Sequence, residues 1–387
     1  MLIRYGKNSK GRLIRQAKVY TLDEHGISRR KLDHDALKVT DRLRAAGYQA
    51  YIVGGAVRDL LIDKVPKDYD IATDASPTRV RKIFRNSRII GKRFRLVHVY
   101  FPQNKILEVA TFRSLEGGDG ENIYGTIDED AKRRDFTLNA LYYSPREEQI
   151  IDYHDGVKDI RNRKLRSVIS LDTTFKEDPV RMLRAVKYSV MTGARIPYNL
   201  RRAIKRDGAL LMECSVSRMS EEIFKILQSG YSEAIIQRAV SLNLFEYLLP
   251  GLHKQLAGPR GREFSKKFFR DLQKLDKYIR KGDEDKSRGR MLYFLCKTYL
   301  SETGALDEGE ETSFNDTINV VKEVLRPMIA PNRDVMDGVK LIFKKNGWKI
   351  PRKRPHYKAA AQMGGRGKSA KTGSGARKRK GSKTGDQ

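Results

Sequence analysis

Cysteine is almost absent from this chain: only Cys214 and Cys296 occur, far apart and each in apolar surroundings. That scarcity excludes a disulfide framework and a thiolate zinc site, and reads as two buried thiols in a reducing compartment. Long hydrophobic runs are missing too. No stretch approaches the roughly 18 uninterrupted apolar residues of a membrane span. The opening residues, MLIRYGKNSKGR, lack the apolar segment of a secretory leader, so a soluble cytoplasmic protein with no membrane span is expected. Acidic residues are in short supply, 48 Asp and Glu against 79 Lys and Arg, for a formal charge of +31. Such an imbalance points to a polyanionic partner.

Apolar residues make up 39% of the 387, enough to bury more than one core, so two or three domains are expected. Residues 1–32 read as a basic, weakly patterned, loosely attached extension. Residues 33–160 mix strands and helices. Asp33 caps a helix that stops at Gly47; the run AYIV at 50–53 enters a Gly-Gly turn and a short helix from Ala56; KDYDIAT reads as the next strand. Ser76 and Pro77 open a helix through Phe84. The runs RFRLVHVYF at 93–101 and KILEVATF at 105–112 form a hairpin, with Leu107, Val109 and Thr111 on one face of its second strand and Glu108 on the other. A Gly-rich stretch at 114–125 reads as a mobile loop. Beyond about residue 160 the pattern is helical, divided into 161–250 and 251–350. The last segment, 351–387, sets 12 Lys and Arg against one Asp in a Gly and Ser mixture and cannot bury a core.

Three constellations carry chemistry. In GGAVRDLLIDKVPKDYD, an extended Asp-x-Asp puts Asp68 and Asp70 on one face of a strand, where both reach one small volume. Hard divalent ions take such carboxylate oxygens and complete their shell with phosphates. Gly54 and Gly55 lack a Cβ, so their amides can approach a phosphate, and Arg58 offers a planar charged fork. Glu108 is a third acid for the same place; His98, on the neighbouring strand, reads as a sheet histidine satisfied by its neighbours. In RRDFTLN, Arg134 is a candidate for triphosphate contact and Asp135 for organising the site, through a hydrogen bond or as a further acid. In EDPVRMLRAVK, Asp178, Arg181 and Arg184 recur at intervals of three on one helix face. A carboxylate beside a guanidinium matches the donor and acceptor edge that adenine and cytosine share.

These segments together resemble the bacterial poly(A) polymerase and tRNA CCA-adding nucleotidyltransferase family, class II of the polymerase-β-like nucleotidyltransferases. The resemblance runs from about residue 25 to 250 and rests on VGGAVRDLL, PKDYDIAT, EVATFR, EDAKRRDFTLNALYY and EDPVRMLRAVKYS. It implies an α+β protein, a mixed-sheet nucleotidyltransferase head followed by all-helical neck, body and tail. It implies that Asp68 and Asp70 hold two Mg²⁺ ions, with Mn²⁺ able to substitute, and that Gly55, Arg58 and Arg134 contact the triphosphate. Arg113, at the end of EVATFR, joins the nucleotide-contacting set. Asp178 and Arg181 match the base-reading pair, with Arg184 and Lys187 nearby. IIGKRFRLVHV at 89–99 resembles the poly(A) branch, whereas CCA-adding enzymes more often carry a Phe-Gly-Thr-Val type sequence there.

The expected activity is therefore template-independent transfer of AMP from ATP to an RNA 3′ end with release of pyrophosphate. The alternatives are a CCA-adding enzyme using CTP and ATP on tRNA, and a non-catalytic RNA-binding protein with a degenerate head. Arginine-rich surfaces and the basic tail suit sequence-independent contact with RNA phosphates.

Overall fold

The computed structural model of the chain describes residues 1–7, 11–91, 95–114, 124–282, 287–304 and 314–350. Most of the Gly-rich stretch and all of the basic tail lie outside the described residues. Residues Met1–Lys349 form one compact unit.

Nine strands make one mixed sheet in the order β1-β2-β9-β8-β3-β4-β7-β6-β5. They are β1 (Leu2–Lys7), β2 (Leu13–Tyr20), β3 (Ala50–Val53), β4 (Asp70–Thr73), β5 (Ser87–Ile90), β6 (Leu96–Tyr100), β7 (Ile106–Thr111), β8 (Leu141–Ser144) and β9 (Gln149–Asp152). Every pairing is antiparallel except β4 with β7, which sets Asp70 opposite Glu108. The strands follow their patterning. β3 and β8 are central and apolar on both faces, whereas β7 alternates, burying Leu107, Val109 and Thr111 and exposing Ile106 and Glu108. The first 32 residues are not a loose extension: β2 pairs with β9 through Lys18–Asp152, Val19–Ile151 and Tyr20–Ile150. Their basic side chains hid a strand whose inner end, Ala17, Val19 and Tyr20, is buried.

One sheet face is covered by α1 (His34–Ala45), α2 (Gly55–Leu61) and α3 (Pro77–Ile83), over a core that includes Ile52, Ile71, Val97 and Val109. Asp33 caps α1 as expected, accepting from the backbone N–H of Asp35 and Ala36 at 3.0 Å. The opposite face carries the short α4 (Ile127–Lys132) over Tyr51, Val53, Ala72, Phe112 and Tyr142.

The remainder is helical, with α5 (Val180–Thr192), α6 (Val216–Leu227), α7 (Ser232–Ser241), α8 (Gly261–Lys281), α9 (Arg288–Glu302), α10 (Phe314–Val324) and α11 (Asn332–Lys345) as its longer members. Helix α7 ends at Ser241, and one further helical turn spans Phe245–Leu248. Asn243 takes φ of 57°, a conformation asparagine tolerates, which lets Leu242 and Leu244 both turn into the core. The helical core also takes in Phe136, Leu138 and Leu165, so sheet and helices share packing at their junction. Cys296 is buried, its thiol pushed up to about 12 by burial, while Cys214 is only partly buried, at the rim and not within the core.

Candidate active site

The site forms where β3 ends. Val53 pairs with Asp70 on one side and Tyr142 on the other, and the chain then turns at Gly54 into α2. Gly54 has φ 66° and ψ −120°, a combination that costs any residue with a Cβ dearly. An added Cβ would lie 3.4 Å from Arg134 Nη1, an ordinary contact distance, so the guanidinium stands directly beside the turn. Gly55 begins the helix.

Three carboxylates meet beside this turn. Asp70 and Glu108 are register partners on parallel strands and so project from the same face. Asp68 lies two residues before Asp70 in the segment entering β4. All three are exposed. Crowding by surrounding chain, then Glu108 and Asp68, push the Asp70 carboxyl up to about 6, although Arg134 and Arg184 pull the other way. Asp70 is thus open to solvent at the floor of a concave, charged place and not in a dry core. Glu108 is flanked by His98 across the strand pair, Nε2 to Oε1 3.4 Å.

Arg134 is fixed from behind. Asp130 accepts from its Nη2 at 2.9 Å, and Tyr142, whose hydroxyl donates to Asp130 at 2.5 Å, lies beneath the guanidinium. This geometry turns Nη1 toward Gly54. The Asp130 carboxyl is buried, which pushes it up, but Arg134 and Tyr142 outweigh that and hold it below the usual range. Arg113 is half-buried in the same neighbourhood, within electrostatic reach of Asp130, Arg133 and Arg134.

A second network joins sheet to helices. Asp135 is buried, and its Oδ1 accepts from Phe136 N at 2.7 Å and Asn139 Nδ2 at 3.1 Å, while Oδ2 accepts from Arg184 Nε at 2.7 Å. With its oxygens so occupied, Asp135 acts as a positioning group for α5 and not as a further acid at the cluster. Arg58, only 4% exposed, donates to Asn139 Oδ1 at 2.8 Å and to Asp59 Oδ1 at 2.7 and 2.9 Å. The geometry gives Arg58 a place under the Gly-Gly turn, shaping it from below. Lys187, also buried, donates to Glu222 Oε2 at 2.7 Å, and Arg184 Nη1 lies 3.7 Å from the other oxygen. Arg58, Arg184 and Lys187 all stand 4.9 to 5.3 Å from the ring centre of the buried Tyr188.

Asp178 and Arg181 reach each other at 3.8 Å, but each has closer partners. Asp178 accepts from Val180 N at 3.2 Å and Arg218 Nη2 at 2.5 Å; Arg181 donates to Thr174 and to Glu177 Oε2 at 3.0 Å. Of the α5 stripe, Arg184 is the member whose charge is felt at Asp70. Reasoning along the chain missed Asp130, Asn139, Tyr142, Tyr188, Arg218 and Glu222. One of them left a signal: Glu222 is an acid in step with Met219, Ile223 and Ile226 on the buried side of α6.

Among the described residues no group of three or more His, Cys, Asp or Glu converges into a metal cage. The donor set still fits a hard divalent cation. Asp68 and Asp70 offer open carboxylate oxygens, and Glu108 adds a third carboxylate whose charge is felt at Asp70. Residues on two elements therefore leave coordination positions to a ligand, with Arg134 and Arg184 supplying positive charge around it.

Comparison with known proteins bears on the same segments. The Poly A polymerase head domain matches residues 50–166, which contain the glycine turn, the three acids and Arg134. A second family, described as the probable RNA and SrmB- binding site of polymerase A, matches residues 194–256. Over these segments the chain is similar to the nucleotidyltransferase family of poly(A) polymerases and CCA-adding enzymes. Within this nucleotidyltransferase family, Poly(A) polymerase I of Escherichia coli O6:H1 is 44% identical over 251 residues, covering 61% of this chain and 54% of that protein. The CCA-adding enzyme of Bacillus subtilis strain 168 is 35% identical over 226 residues, covering 57% of this chain and 56% of its own. The chain thus spans about half the length of the curated relatives it matches. A solved nucleotidyltransferase, the Bacillus stearothermophilus CCA-adding enzyme in complex with CTP, superposes with a TM-score of 0.53 at 28% identity, covering 80% of this chain and 82% of that one. The mixed-sheet head followed by a helical region is the architecture of these neighbours.

Proposed function

We propose that the chain is a template-independent polynucleotide adenylyltransferase. The 3′-hydroxyl oxygen of an RNA attacks the α-phosphorus of ATP, the α–β phosphoanhydride bond breaks, pyrophosphate departs, and the hydroxyl proton is lost to solvent. The observation that carries this reading is the crowding of Asp68, Asp70 and Glu108 beside the Gly54 turn, with Arg134 and Arg184 facing them. Two divalent ions, Mg²⁺ or in its place Mn²⁺, held by Asp68 and Asp70 would lower the pKa of the attacking hydroxyl and neutralise the departing charge.

The chain's own groups do the positioning. Arg134, braced by Asp130 and Tyr142, presents Nη1 to the triphosphate at Gly54 and Gly55; Arg113 adds charge behind it. Arg58 acts through the turn, by shaping it. Asp178 and Arg181 read the base edge once Arg218 and Glu177 release them, and Arg184 and Lys187 hold the helix that carries them through Asp135 and Glu222. Glu108 adds a further negative charge beside Asp70 and so strengthens the pull of the site on cations. Positioning and fixed charge of this kind supply most of the acceleration in such a transfer.

The preference for AMP rests on the degree of likeness, 44% identity to a poly(A) polymerase I against 35% to a CCA-adding enzyme. The reaction belongs to RNA processing, and the chain's two free thiols and the absence of any helix long and apolar enough to cross a membrane among the described residues suit a cytoplasmic site of action. The resemblance to a CCA-adding enzyme bound to CTP favours the second reading, in which CMP and AMP complete tRNA ends. Incubation with a generic oligoribonucleotide and with tRNA lacking its CCA end, each with ATP or CTP, separates them. AMP added to the oligoribonucleotide is the expected result, and CMP entering the tRNA overturns it. Absence of any divalent-ion-dependent transfer revives a non-catalytic RNA-binding role.

A further inference from the structure

The N-terminal hairpin does something the sheet does not require. Only Lys18, Val19 and Tyr20 of β2 pair with β9, so Leu13–Ala17 and their β1 partners continue beyond it as a two-stranded arm. At 3.3–3.4 Å per residue, the arm projects about 17 Å past the last paired position. Its direction follows from the registers. Val19 is opposite Ile151, Ile151 opposite Tyr142, Tyr142 opposite Val53, and Val53 opposite Asp70. Following the alternating strand directions through these pairs, the arm leaves the sheet at the end that bears the Gly54 turn and Asp68. Four inter-strand steps separate β2 from β4, roughly 19 Å at 4.8 Å per step.

Its surface is unusual for an edge hairpin. Residues 1–20 hold six Lys and Arg and no Asp or Glu. Tyr5 and Arg15 are register partners and therefore neighbours on one face; Tyr5 is 60% exposed, Arg15 is exposed, and Leu13 beside them is 72% exposed. The register slips by one residue between Arg4 and Tyr5, so this pair stands on the sheet face opposite Asp70 and Glu108 and meets the site end only past the edge of the sheet. The nearby acids are already engaged: Asp155 bridges Lys18 and Glu24 bridges the N-terminal ammonium. An exposed aromatic ring beside a guanidinium, on a stretch of uniform positive charge, is the chemistry that holds single-stranded nucleic acid, the ring stacking on a base and the cation meeting the phosphate.

We propose that the β1–β2 arm contacts the single-stranded RNA substrate upstream of its 3′ end, with Tyr5 stacking on a base and Arg15 pairing with the backbone. This rests on the reading of RNA as substrate, and adds a contact outside both matched family segments. The test measures binding directly and so does not depend on catalysis. Fluorescence anisotropy of a labelled single-stranded oligoribonucleotide is recorded over a range of salt concentrations with the full chain, with Tyr5→Ser, with Arg15→Glu, and with Arg333→Glu as a charge control on α11.

Tyr5→Ser is expected to weaken binding about tenfold with an unchanged salt slope. Arg15→Glu is expected to weaken it and to lower the slope of log affinity against log salt by about 0.7, whereas Arg333→Glu leaves the slope nearly as it was. Circular dichroism confirms the fold in each case. Wild-type affinity and slope in both arm variants overturn the proposal. So does a change in sedimented mass in either variant without loss of RNA binding, which would assign the exposed β1 edge to a second copy of the chain. If the wild-type chain fails to transfer AMP yet the arm variants lose RNA, the arm stands and the adenylyltransferase reading falls.

Discussion

Asp135→Asn isolates the charge that ties the sheet to α5. The substitution keeps the shape and leaves an oxygen to accept from Phe136 N and Asn139 Nδ2, but it removes the anion from Arg184 and sets an amide donor against the Arg184 Nε donor. A hydrogen bond to a charged group contributes about 1.5–3 kcal/mol, and removing one partner of a buried pair costs about 3–5 kcal/mol. Arg184 retains 30% of its side-chain surface in solvent, so water can take up part of its lost partner. The lower range applies, and we expect a loss of about 1.5–3 kcal/mol in urea unfolding followed by far-UV circular dichroism. The pH dependence gives a second readout. Burial pushes the Asp135 carboxyl up, but Arg184, Asn139 and the Phe136 N–H outweigh it and hold the carboxyl below its usual value. Its stabilisation is therefore full above the unfolded carboxyl range and is lost as pH falls through the lower folded value. Stability of Asp135→Asn should fall less steeply than that of the parent below about pH 4. A variant within 0.5 kcal/mol of the parent, roughly the scatter of a harmless surface change, and with the same acid limb would refute the pairing as a stabilising link.

Three further outcomes follow from the same geometry. Asp70→Ala should abolish Mg²⁺-dependent AMP transfer while leaving the circular dichroism unchanged, and addition of Mg²⁺ with ATP should no longer raise the melting temperature; substantial turnover would refute the assignment. Gly54→Ala should cost at least about 1–3 kcal/mol, because φ 66° with ψ −120° is closed to a Cβ, whereas Gly193→Ala, in the left-handed helical region with open space around it, should cost about 1 kcal/mol; equal costs in denaturant melts would remove the special status of the turn. Arg134→Lys keeps the charge but cannot span Asp130 and the Gly54 turn together, so KM for ATP should rise about tenfold, a loss of about 1.4 kcal/mol, with little change in melting temperature; unchanged nucleotide kinetics would place the triphosphate elsewhere.

Local signals carried much of what the chain reveals without its fold. Asp33 and Gly47 bracket α1 as cap and stop, the alternation in KILEVATF assigns Glu108 to the open face of β7, and spacing places Asp68 and Asp70 together. Each of these depends on residues a few positions apart, where helix and strand periods are the governing geometry. Basic composition concealed β2, because Arg15 and Lys18 stand on a strand whose burial is supplied by β9, more than a hundred residues later. Glu108 could be assigned a face, but only the parallel register of β7 on β4 sets it opposite Asp70.

The residue types alone pointed to a polyanion met by hard carboxylates, glycine-permitted backbone and arginine, since charge, the lack of a Cβ and donor chemistry travel with the side chain wherever it sits. Tertiary structure decided which groups face the ligand and which are spent on holding the protein together. Arg58 and Arg134 look alike in sequence, yet one is sealed beneath the turn by Asn139 and Asp59 and the other is braced with a nitrogen at Gly54. That division is made by burial and by partners distant along the chain, and neither is a property of a short segment.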